Sequence, residues 1–120
     1  VATGTRSLDD AVADLQLLFS VLASEGHDEP GDAQRAFDAG VQRLLLSARL
    51  RYAPAVQWPA ALDLALDRLD LLAPEAKRVV VDALGATIAH DGQLSVPESE
   101  LLRAICASLH CPLPPLVRSG

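Results

Sequence analysis

Apolar residues return along this chain every three or four positions, and Gly, Pro and Asp mark the breaks between the runs. That period belongs to helices with one buried side. Five such segments are predicted. The first starts near Ser7, an N-cap residue followed by Asp9 and Asp10, whose carboxylates suit a helix N-terminus. Leu8, Val12, Leu15, Phe19 and Leu22 form its single apolar stripe, and Gly26 can end it. Residues 25–31 are polar, contain Pro30 and read as a loop. The second helix is predicted from about Asp32 to Leu50, with Phe37, Val41, Leu44 and Ala48 on one face. Gly40 in its middle is either a close-packing point or a weak spot.

Residues 51–57 look irregular, and Trp58 stands directly before Pro59. Its ring is expected to plug a gap between helices. The third helix begins at Pro59 or just after, with Leu62, Leu66, Leu69 and Leu72 inward and Asp63, Asp67, Arg68 and Asp70 outward. Ala73-Pro74-Glu75 closes it and opens the fourth, because Pro at the first helical position loses no hydrogen bond. Val79, Val80, Ala83, Leu84, Thr87 and Ile88 give the fourth a broad apolar face, the mark of a central helix. The fifth runs from Val96 to about His110, with Leu101, Leu102, Ile105, Cys106 and Leu109 inward and Pro112 as its stop. No alternating strand pattern competes, so the fold class is an all-α bundle of about five helices.

Composition narrows the picture. The 120 residues are enough for one domain with a real core. Phe19, Phe37, Tyr52 and Trp58 are the only aromatic residues, so the core is aliphatic. The net charge of −6, with no cluster of Lys and Arg, argues against a nucleic-acid surface. Two cysteines, Cys106 and Cys111, are too few for a disulfide framework. A bridge between them is disfavoured if the last turn is helical, because the side chains then leave different faces. No apolar run is long enough to span a bilayer. The chain begins with Val1 and holds no Met, which fits a piece of a longer protein.

The stretch His90-Asp91-Gly92-Gln93-Leu94-Ser95-Val96-Pro97-Glu98 compresses a helix end, a turn and a helix start. Asp91-Gly92 is a turn signal. Ser95 and Glu98 have the spacing of a capping box, in which hydroxyl and carboxylate satisfy free amides of the first turn. This helix–Asp-Gly–helix unit resembles the core of TerB-like, tellurite-resistance-type helical domains. Glu100 to Cys106, joined to Leu109-His110-Cys111-Pro112-Leu113-Pro114-Pro115-Leu116, is similar to the tail of bacterial HtpX-like, CAAX-prenyl-protease-type membrane zinc metallopeptidases. The resemblance covers residues 58–116 and is thin before them.

The resemblance implies a single C-terminal accessory domain over 1–120, regulatory or protein-binding, belonging to a bacterial inner-membrane peptidase. It implies the parent peptidase domain or another protein as partner, with no nucleic acid and no insertion into the membrane by this segment. Trp58, Leu113 and Leu116 are candidate contacts. A helical His-Glu-x-x-His is absent, and no two of His27, His90 and His110 have its spacing. No catalytic residue and no cofactor is therefore assigned to this chain, and the parent's zinc would be held elsewhere.

Three bland readings outweigh sharper ones. Asp91-Gly92 and Glu98 match the second half of a calcium loop, but Thr87 and Ala89 stand where the first half needs oxygen ligands. Asp91 and Glu98 remain weak metal candidates, the basis of an alternative reading as a TerB-like metal-binding domain. Cys106, His110 and Cys111 lack a fourth zinc ligand. Asp10 with Asp14, and Asp63 with Asp67 and Asp70, read as solvated helix faces and not as paired acids.

Overall fold

A computed structural model describes residues 11–27, 29–44, 50–53, 58–89 and 96–111, with the backbone alone for Trp58 and Ala89. Five α-helices follow one another, and there is no strand among the described residues. They are α1 (Val12–Gly26), α2 (Pro30–Val41), α3 (Trp58–Leu69), α4 (Pro74–Ala89) and α5 (Val96–Leu109). The all-α bundle expected from the apolar period is therefore what the chain forms. No described helix is long and apolar enough to cross a membrane.

The hub is α1, which touches all four other helices. The sequence pattern gave this helix one stripe. Instead Leu18, Phe19, Ser20, Val21, Leu22 and Ala23 are all buried in succession. Neighbours close around this run on every side, while Ala13 and Glu25 nearer the ends of α1 stay exposed. Ser20 is tolerated there because its hydroxyl accepts the Ala53 amide at 3.1 Å. That bond pins the irregular stretch 50–53 across the bundle. Leu50 is buried beside it, and the Tyr52 ring tilts against Phe37 with centroids 5.8 Å apart.

The second helix departs from expectation at both ends. It starts two residues early, with Glu29 as N-cap and Pro30 at the first helical position. It leaves α geometry after Val41, tightening into a 3₁₀ turn over Gln42–Leu44. Gly40 decides its packing. A Cβ at that position would run into the Thr87 hydroxyl, the Ala83 carbonyl and the Phe19 ring. Gly40 is therefore a point where α2 and α4 nearly touch, and not a weak spot. Thr87 uses its hydroxyl to bond the Ala83 carbonyl at 3.2 Å, so its own buried donor is satisfied.

The later helices follow the sequence closely. Leu62, Leu66, Leu69 and Leu72 are buried on or just after α3, and Pro74 opens α4. Val80, Ala83, Leu84, Thr87 and Ile88 are buried along α4, with Val79 half-buried. Leu102, Ile105, Cys106 and Leu109 are buried along α5, and Leu101 is half-buried. Ser7, Asp9, Asp10, Ala48, His90 and Pro112 lie outside the described residues.

Candidate functional site

Most of the residues singled out from sequence cannot be placed. Asp91, Gly92, Ser95, Leu113 and Leu116 lie outside the described residues. Trp58 is the first residue of α3, and only its backbone is described.

Glu98 is described, and it is buried to 1% exposure in the first turn of α5. Its Cγ and carboxylate lie where a side chain on Gly26 would stand. Glu98 is thus a contact between the start of α5 and the end of α1, a role its spacing from Ser95 did not reveal. The available signal was Gly26, which leaves room at a helix end. Next to it, His27 Nδ1 lies 3.0 Å from the Ala23 carbonyl.

Asp14 corrects another expectation. It belongs to a carboxylate pair read as solvated, yet its side chain is only 8% exposed. Arg68 of α3 grips it with a fork, Nε donating at 2.9 and 3.1 Å to the two oxygens and Nη2 at 2.7 Å to Oδ1. Such two-pronged bonds are stronger than neutral ones and fix orientation. The hydrogen bonds and charge of Asp14 hold the Arg68 guanidinium more firmly protonated than usual. Sequence spacing could not show the pairing, because 54 positions separate the partners. Asp63 and Asp67 remain on the exposed side of α3, as expected.

Asp70 forms a second charged cluster at the turn after α3. Lys77 Nζ donates to its Oδ1 at 2.5 Å, and His110 Nδ1 lies 3.1 Å from the same oxygen. These partners, Lys77 foremost, hold the Asp70 carboxyl below its ordinary pKa. Asp70, expected outward, is therefore half-buried and ties the α3–α4 turn to the end of α5.

The end of α5 is a closed cap. The His110 amide donates to the Ala107 carbonyl at 3.2 Å, and the Cys111 amide to the Cys106 carbonyl at 2.9 Å. His110 itself has φ 58°. This is a Schellman motif with His in the left-handed position usually held by Gly. His110 consequently leaves the helix face of Cys106 and turns to Asp70. Cys106 is buried, and that burial pushes its thiol up to about 11, so it is a poor nucleophile at neutral pH. No group of three or more His, Cys, Asp or Glu among the described residues could hold a metal ion.

Among the described residues three large apolar side chains stand in solvent: Leu64, Leu71 and Val96, the last at the start of α5. Leu64 of α3 is 59% exposed, and Leu71, seven positions on in the following turn, is 50% exposed. Ala60 and Ala61 are exposed on the same helix. Both leucines face solvent, Leu64 on the helix and Leu71 in the turn that follows it.

Comparison with protein-family models, curated proteins and solved structures finds no match for this chain.

Proposed function

We propose that the chain is a non-catalytic accessory domain that binds protein, serving a bacterial membrane-bound zinc metallopeptidase as its C-terminal module. The family part of this reading rests on the sequence resemblance over residues 58–116. The observation that supports a binding role is the pair Leu64 and Leu71, large apolar side chains held in solvent on α3 and in the turn that follows it. Leucines in such a place gain free energy when a partner covers them. Trp58 opens the same helix, and an aromatic residue there suits an interface anchor. The partner in this reading is the catalytic portion of the same polypeptide, and the chain's own carboxylates serve packing and charge pairing.

The decisive test of parentage is the reading frame upstream of Val1. The proposal expects apolar spans and a His-Glu-x-x-His there. A frame encoding neither would remove the peptidase connection. A second test uses the chain itself, which should cleave no casein with or without zinc. Metal-dependent cleavage by the pure chain would overturn the non-catalytic reading.

A further inference from the structure

We propose that Cys106 and Cys111 form an oxidisable dithiol whose intramolecular disulfide locks the C-terminal cap of α5, with a low-molecular-weight disulfide such as oxidised glutathione as oxidant. The inference rests on the cap geometry and is independent of the peptidase reading. In a straight helix these residues would leave different faces. The left-handed turn at His110 removes that obstacle by folding the chain back. In a Schellman cap the residue in the place of Cys111 commonly packs back on the last helical turn, in the place of Cys106 or its neighbour, and here the Cys111 sulfur lies 3.6 Å from the Leu109 carbonyl in that turn. The 2.9 Å bond from the Cys111 amide to the Cys106 carbonyl fixes the two backbones against each other. A disulfide needs its two backbones close together, and this bond brings them close. Both side chains belong to the same apolar cluster, Cys106 inside it and Cys111 packed against it. Both are free thiols.

The chemistry balances in two exchange steps. Cys111, half-buried and the more accessible, attacks oxidised glutathione as its thiolate. A mixed disulfide forms and one glutathione thiolate leaves. Cys106 then loses its proton to solvent and attacks the Cys111 sulfur, expelling the second glutathione thiolate. The two electrons of the dithiol end on glutathione, and two protons leave the protein. The second step is the slow one, because burial and the neighbouring Cys111 hold the Cys106 thiol near 11. Closure should therefore accelerate as pH rises toward that value. The bond would fix the turn at His110.

The test is incubation of the full chain with oxidised glutathione, read by intact mass and by thermal unfolding. The expected product is a monomer lighter by two hydrogens, with a raised melting temperature, both reversed by dithiothreitol. Cys106→Ala and Cys111→Ser should each stop at a glutathione adduct or remain reduced, with no such rise. Amide exchange at His110 and Cys111 should slow in the oxidised wild-type protein alone. A wild-type chain that keeps a stable glutathione adduct on Cys111 would overturn the proposal. So would a dithiol that survives prolonged exposure, or a disulfide that forms only between chains.

Discussion

Two helices of this bundle, α1 and α3, both carry more apolar residues than one buried stripe requires, and they dispose of the excess in opposite ways. In α1 the run from Leu18 to Ala23 is covered by the other helices and, at Ser20, by the stretch 50–53. In α3 the inner residues Leu62, Leu66 and Leu69 are covered, while Leu64 stays in solvent with Leu71 just beyond the helix. The same composition therefore means core in one place and available surface in the other. Location in the bundle decides which, and the local pattern alone does not.

The comparison is most easily broken at its buried end. Phe19→Ala removes a ring with no exposure from the hub and should cost about 3–5 kcal/mol, measured by chemical denaturation. Gly40→Ala drives a methyl group into Thr87, the Ala83 carbonyl and Phe19, and should cost about 1–3 kcal/mol. Thr87→Ala in that background should recover part of the loss, since it removes the closest obstruction. A neutral Gly40→Ala would mean that α2 and α4 do not approach as described.

Asp14 sharpens the contrast between the two helices, because it joins them. Asp14→Ala deletes a nearly buried acceptor of three bonds from Arg68 and should cost about 1–2 kcal/mol. Asp70→Asn loosens a more exposed cluster and should cost only about 0.5–1 kcal/mol. The Asp70 carboxyl is held low in the folded chain, so its contribution is present above the ordinary carboxylate pKa. It is lost as the pH falls through the folded value, and Asp70→Asn should flatten the acid side of the stability profile. The Cys106 thiol has the opposite sign. Its folded value, about 11, lies above the ordinary 9.0. Stability held below about 9 should decline between 9 and 11, and Cys106→Ala should remove that decline.

What could be read from sequence follows from the range of each interaction. Helix number, the Pro74 start of α4 and the inner faces of α3, α4 and α5 came from local spacing and were correct. The single stripe assigned to α1 found Leu15, Phe19 and Leu22 but missed Leu18, Ser20, Val21 and Ala23, because their burial depends on what surrounds the helix. The second helix was drawn too long, since nothing in the apolar pattern marks the tightening after Val41. Asp14 was placed in solvent because its partner is distant in sequence. Glu98 was read through its neighbour Ser95, whereas its packing partner Gly26 lies on another helix. The turn at Asp91-Gly92 and the contacts suggested for Leu113 and Leu116 fall outside the described residues.

The smallest expected effect on stability carries the largest consequence for function. Leu64→Glu with Leu71→Glu changes side chains that already face water, so stability should move by no more than about 0.5 kcal/mol each. The docking proposed for this chain should not survive them. The direct measurement is a calorimetric titration of this chain, wild-type and doubly substituted, against the polypeptide encoded immediately upstream of Val1. An accessory domain that docks through α3 predicts saturable binding by the wild-type chain and its loss in a double variant that is still folded. A wild-type chain that does not bind, or a double variant that binds equally well, would contradict the account.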